Sequence, residues 1–146
     1  ANYFLMEPER LAVSTMCANC FYMPIAEKVK VDFFDADTYG GRWHFDNIIR
    51  YMNDGIDEVS KLNFDDIHKR EIIVNCKMVI AGAKMYIAKA EGGFTKSESE
   101  EMVALLDWII EEHQALWRIR DYEKGIEAFL KVLNDRRNDA KEFIKA

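Results

Sequence analysis

Four stretches between residues 42 and 146 repeat apolar residues at three- and four-residue steps, the spacing of one face of an α-helix. In the first stretch this apolar stripe consists of Ile48, Ile49, Met52, Ile56 and Val59. A helix with such a stripe packs against a neighbour on that side. The pattern predicts four long helices, over residues 42–62, 66–90, 95–117 and 122–144.

The second predicted helix differs from the others because it carries two apolar stripes. One stripe includes Val74, Ala81 and Met85, and the other includes Ile73 and Ile80. A helix with two apolar faces is buried on most sides. We therefore expect this helix to be central to the fold, and we expect Gly55 of the first helix to allow close approach of a neighbour.

Helix starts and stops are marked by short-range signals. Asp65 or Asp66 can cap the second helix, and Gly92-Gly93 follows it as a helix stop. Thr95 and Glu98 have the spacing of a capping box, in which each side chain bonds the other residue's backbone N–H. Asp121 can cap the last helix. The connections are short, so the prediction is an all-α, antiparallel bundle of about four helices.

Residues 1–41 lack this regularity. Pro8 to Met23 can form one short helix, Val29 to Phe34 alternates like an extended segment, and Asp35 to Gly41 is rich in turn residues. We expect an irregular N-terminal segment or linker over 1–41 and a helical bundle over 42–146.

Composition supports this assignment and excludes several function classes. The 146 residues include only 2 Pro and 7 Gly, which favours long helices over many tight turns. The net charge of −6 is opposite in sign to that of a typical nucleic-acid binder. The longest uncharged run, Leu11 to Ala26, contains Ser, Thr, Asn and Pro and is shorter than a membrane span needs. We expect no nucleic-acid partner and no membrane segment.

Three cysteines suggest a reducing compartment, because no pairing is evident among Cys17, Cys20 and Cys76. The spacing C-A-N-C of Cys17 and Cys20 leaves a redox switch open, although it lacks the βαβ context of thioredoxin-like sites and a second ligand pair for zinc. Packing as small apolar residues is the simpler interpretation. The predicted location is cytoplasmic.

No other constellation predicts catalytic, cofactor-binding or metal-ligating residues. Asp65 and His68 have the acidic-x-x-His spacing of a di-metal bundle only once, at a helix start where Asp serves as a cap. His113 lies in the apolar stripe of the third helix, where a structural imidazole is the simpler interpretation. Asp57 and Glu58 diverge by about 100° around their helix and lie on its polar side.

Residues 111–127, E-E-H-Q-A-L-W-R-I-R-D-Y-E-K-G-I-E, are similar to a motif of certain glycoside hydrolases. The motif, E-x-H-x-x-L-W-x-x-R-N-x-x-G-G-L-E-x-S, belongs to the helical tail that follows the catalytic barrel of family-20-type β-N-acetylhexosaminidases and their relatives. Residues 33–44 also resemble a linker into such a helical region. Asp121 replaces the usual Asn of the motif, and Lys124 replaces its first Gly.

The resemblance implies a non-catalytic accessory domain of a glycoside hydrolase, since neither the barrel nor its Asp-Glu catalytic pair occurs in this chain. Its partner would be the catalytic barrel of a parent protein or a second copy of itself. The absence of an initiator Met fits a piece of a longer protein. Candidate interface residues are Trp43, Trp117, Arg118 and Arg120.

Two other functions remain open from the sequence. The first is a free-standing helical interaction, dimerisation or regulatory module, suggested by the high apolar content and the aromatic residues of the N-terminal third. The second is a small bundle enzyme or redox switch that uses Cys17 and Cys20.

Overall fold

A computed structural model of the chain describes residues 24–27, 42–63, 65–119 and 123–146, and for residues 27, 44, 117–119 and 123–126 the description is limited to the backbone. Within these ranges the chain is an all-α bundle, as predicted. The helices are α1 (Arg42–Lys61), α2 (Asp66–Glu91), α3 (Lys96–Ile119) and α4 (Glu123–Glu142), and a 3₁₀ turn covers Ile25–Glu27. The short helix predicted from Pro8, the extended segment from Val29 and the Asp121 cap lie outside the described residues.

Each helix packs chiefly against its neighbours in the chain, and the contacts establish antiparallel order. Arg42 at the start of α1 forms an ion pair with Glu91 at the end of α2. Arg70 near the start of α2 pairs with Glu112 near the end of α3. The Ser99 hydroxyl, in the first turn of α3, donates to the Ala140 carbonyl oxygen near the end of α4 at 2.8 Å.

The central position predicted for α2 is confirmed for its second half. Residues 79–83 and 85–88 are buried on nearly every side, because α1, α3 and the 3₁₀ turn all pack against α2. The first half of α2 is more open, and Ile72 is exposed. The close approach expected at Gly55 is not required, since a Cβ there would lie 4.0 Å from Cys76 Sγ, an ordinary contact.

The core lies between α2, α3 and α4, with contributions from α1. Its largest fully buried side chains are Phe45, Ile25, Ile48, Met85, Met102, Leu106, Ile109 and Leu133. The 3₁₀ turn is held to this core at three points. Ile25 is fully buried, its N–H donates to Asp139 of α4, and the Ala26 carbonyl accepts from Lys89 of α2.

Helix ends follow the predicted local signals. The Asp65 carboxylate accepts from the Ile67 N–H at 3.1 Å and caps α2. Gly92 ends α2 with φ of 83°, the left-handed conformation of a glycine C-cap. The capping box is complete, because the Glu98 N–H donates to the Thr95 hydroxyl at 3.1 Å and the Thr95 N–H donates to the Glu98 carboxylate at 2.9 Å.

The last helix ends two residues earlier than predicted because the C-terminal segment pairs with the α2–α3 connection. The Phe94 N–H donates to the Phe143 carbonyl and the Lys145 N–H donates to the Phe94 carbonyl, both at 2.8 Å. We call residues 143–145 and Phe94 the C-terminal clasp. It joins positions about fifty residues apart, so no local sequence signal predicts it.

The capping box has a testable pH dependence. The pKa of Glu98 lies below its ordinary value, because its carboxylate accepts hydrogen bonds from the Thr95 backbone and then from the Thr95 side chain. A carboxyl whose folded pKa is lowered stabilises the fold fully at neutral pH and loses that contribution as the pH falls through the folded pKa. Glu98→Ala is therefore expected to destabilise the chain at pH 7 and to have a smaller effect well below about pH 4.3.

Urea unfolding of wild type and Glu98→Ala across this pH range measures the effect, with the exposed Glu100→Ala as the matched control. Glu100→Ala should show little pH dependence of its own. A Glu98→Ala difference that is constant from pH 7 to pH 3 would contradict the assigned role of the carboxylate.

Candidate functional site

The structure places three of the four candidate interface residues, at two ends of the bundle. Trp43 lies in the first turn of α1, and 62% of its surface is exposed. Trp117 and Arg118 belong to the last turn of α3, and Arg120 lies outside the described residues. Trp43 is beside the end of α2, whereas the last turns of α3 are beside the start of α2. Since α2 has 26 residues, its length separates the two groups by roughly 35–40 Å.

The end of the bundle that contains the last turns of α3 also contains the α1–α2 connection, and we call it the hairpin end. Two large apolar side chains are exposed there, Leu62 at 52% and Ile72 at 39%. A Cβ at Gly55 would lie 4.0 Å from Cys76 Sγ, and this antiparallel register places Ile72 across from Val59, about one turn from Leu62. Both exposed side chains therefore lie on the α1–α2 pair at the hairpin end, and we call this region the apolar surface of the hairpin end.

Sequence reasoning did not identify this surface. Ile72 lies outside both apolar stripes of α2, and Leu62 follows the last stripe residue of α1, Val59. The available sequence signal for an exposed apolar surface was a large aliphatic residue outside the apolar stripe of its helix. Single residues of this kind are common on protein surfaces, so the signal is weak. Only the antiparallel pairing of α1 and α2 brings the two together.

Charged groups border the hairpin end. Asp65 Oδ2 lies 2.8 Å from His68 Nδ1, and both side chains are more than half exposed. Arg70 pairs with Glu112, and the hydrogen bond to the Glu112 carboxylate raises the pKa of Arg70. The surface thus has the composition of an interaction surface, with apolar residues next to a polar rim.

The other exposed aromatic residues are engaged with cations of the chain. The Arg50 guanidinium lies 5.1 Å from the centre of the Tyr51 ring, and Lys77 Nζ lies 4.6 Å from that of Trp108. Both distances are those of cation–π contacts. A cation of the chain therefore lies over part of each exposed ring. Aliphatic side chains such as Leu62 and Ile72 cannot form contacts of this kind.

Of the titratable residues singled out from the sequence, His113 and Cys76 are partly buried in the bundle. His113 is half-buried against Phe129, with 4.9 Å between ring centres, and burial lowers the pKa of its imidazole. Burial also raises the pKa of the Cys76 thiol, which reduces its reactivity at neutral pH. Asp57 and Glu58 are exposed on α1, and Cys17 and Cys20 lie outside the described residues. No group of three or more potential metal ligands occurs in the described part of the chain.

Comparison with known proteins adds no relative: no family model, curated protein or solved structure matches this chain. Within the described ranges, none of the helices has the length and apolar character needed to span a membrane.

Proposed function

We propose that this chain is a non-catalytic helical accessory domain that docks, through its hairpin end, on the catalytic barrel of a glycoside hydrolase related to the β-N-acetylhexosaminidases. The observation that carries the docking role is the joint exposure of Leu62 and Ile72. Full burial of a large aliphatic side chain provides about 1.5–3 kcal/mol, and since these two are already partly buried, their remaining exposed surface forgoes about 0.5–1.5 kcal/mol each. A docked partner would bury them.

The barrel is proposed as the partner because the glycosidase-like motif lies at this same end. Residues 111–119 of the motif form the last turns of α3, and Glu112 is fixed there by its ion pair with Arg70. In the resembling enzymes this motif belongs to the region that follows the barrel. Trp117, Arg118 and Arg120 are the motif residues proposed to contact it, and Trp43 would face away from that contact.

The proposal places the protein in the cytoplasm, because its cysteines show no evident pairing in the sequence and Cys76 is a free thiol.

The test begins with the coding sequence on the N-terminal side of residue 1, which should encode a barrel with an Asp-Glu pair. In the whole protein, Leu62→Asp together with Ile72→Asp is expected to split a single thermal unfolding transition into two, because charges cannot be buried without partners. Tyr51→Asp is the matched control, since Tyr51 is half exposed but lies midway along α1. It should leave one transition.

Sedimentation equilibrium of the 146-residue chain tests the second candidate partner. A monomer at micromolar concentrations supports docking on a barrel. A dimer that Leu62→Asp dissociates would overturn the barrel as partner and establish a self-associating module instead. An upstream sequence without a barrel would also overturn the proposal.

A further inference from the structure

A cavity with both acidic and basic side chains opens between the first turns of α1, the second half of α2 and the first turns of α3. Its volume is about 120 Å³. An apolar cavity of about 150 Å³ accommodates a molecule as large as benzene. The cavity can therefore enclose a small aliphatic group and leave a polar head at its mouth.

The cavity has an apolar floor and a charged rim. The apolar lining residues Ile49, Ile87 and Phe94 are buried or partly buried, and we call them the floor. The rim residues that carry charge are Arg42, Asp46, Lys84, Glu98 and Glu101. An apolar floor with a few convergent polar groups is the usual composition of a small-molecule site.

Most of the rim charges have a partner in the fold. Arg42 pairs with Glu91 and lies 3.5 Å from Asp46, and Glu98 accepts the Thr95 N–H of the capping box. Among the described residues, the side chains of Lys84 and Glu101 have no ion-pair or hydrogen-bond partner. The rim therefore presents one ammonium group and one carboxylate, from different helices, that are available to a ligand.

We propose that this cavity binds a free aliphatic α-amino acid of the size of valine or leucine. The ligand carboxylate would pair with Lys84 and its ammonium group with Glu101, while its side chain would fill the space above Ile87 and Phe94. A zwitterion satisfies both rim charges at once, whereas an amine or a carboxylic acid satisfies only one. Charge-assisted hydrogen bonds of this kind are the strong ones in proteins.

The test is a titration of the full chain with L-leucine up to about 20 mM, monitored by the ¹H–¹⁵N chemical shifts of the backbone amides. The amides of Ile87 and Phe94 should shift and saturate. Isopentylamine and 4-methylpentanoate each lack one charge of leucine and are expected to bind at least about tenfold more weakly than leucine. Leucine itself is expected to bind at least about tenfold more weakly to Lys84→Met and to Glu101→Gln than to the wild-type chain. Matched controls are Lys131→Met and Glu100→Gln, which change charges outside the cavity.

Several results would overturn the proposal. One is the absence of saturable shifts with L-valine and L-leucine in a folded wild-type chain. Another is equal binding of isopentylamine and leucine, which would show that only the acidic side of the rim is used. A third is leucine binding that neither Lys84→Met nor Glu101→Gln weakens. Because the cavity is at the opposite end of α2 from the hairpin end, these outcomes do not depend on the docking experiment.

Discussion

Replacing Gly93 by alanine is expected to destabilise the fold by about 3 kcal/mol or more, although the change adds a single methyl group. Gly93 has φ of 137°, a region that residues with a side chain rarely adopt. A Cβ at this position would lie 2.8 Å from the Lys145 nitrogen and 2.9 Å from the Ile144 carbonyl carbon. Both are backbone atoms of the C-terminal clasp, so the methyl group cannot be accommodated by rotating a side chain.

Relief of this clash would separate the two segments and break the hydrogen bonds between Phe94 and residues 143 and 145. Each such bond contributes about 1 kcal/mol net, and the strained backbone adds about 1–3 kcal/mol. Urea unfolding monitored by circular dichroism gives the change in the free energy of unfolding.

Gly92→Ala is the matched control, because Gly92 also has a positive φ, of 83°, but no atom lies within 4 Å of the added Cβ. Its expected cost is about 1–2 kcal/mol from the backbone conformation alone. In a chain that ends at Phe143 the clash is absent, so the two alanine variants should become similar. Equal destabilisation by both variants in the full chain would contradict the steric argument.

Truncating Leu106 to alanine is expected to cost about 3 kcal/mol, within the range of about 2–5 kcal/mol for buried leucines. Leu106 is fully buried among the residues of the core cluster, which include Met102, Ile109 and Leu133. The variant loses the transfer free energy of the removed carbon atoms and leaves a cavity that rigid helix neighbours fill only partly.

Leu62→Ala makes the same chemical change at a position that is 52% exposed. We expect its effect on the free energy of unfolding of the 146-residue chain to stay within about 0.5 kcal/mol. Equilibrium denaturation in urea compares the two variants directly. Similar costs at both positions would show that Leu62 is covered in solution or that the core around Leu106 is not as packed as described.

The features predicted correctly from the sequence are those that depend on residues close together in the chain. The Thr95–Glu98 capping box, the Asp65 cap and the Gly92 stop each use bonds between residues two to four positions apart. The all-α bundle follows from apolar periodicity, because burying one stripe per helix requires helices to pack together. The resemblance of residues 111–127, and the glycosidase partner it implies, stay predictions.

Long-range side-chain environments were not predictable in this way. Arg136 in the C-terminal half of α4 is an example. Only 7% of its surface is exposed, and its Nε and Nη1 atoms have no hydrogen-bond partner among the residues that the structure describes. Arg136 lies three residues after Leu133 and four residues before Ala140, so all three lie on the same buried face of α4. A charged residue therefore occupies a core position.

The sequence by itself therefore determined the four long helices with their apolar faces, the start of α3 and both ends of α2, because each depends on residues a few positions apart, and the fold class follows from the apolar faces. Tertiary structure alone decided that Trp43 and Trp117 are at opposite ends of the bundle and that Leu62 and Ile72 are both exposed at the hairpin end. It also decided that residues 143–145 pair with Phe94 in the C-terminal clasp, and that Lys84 and Glu101 line one cavity. These arrangements depend on the register and order of packed helices, which residues far apart in the chain set jointly and no single segment encodes.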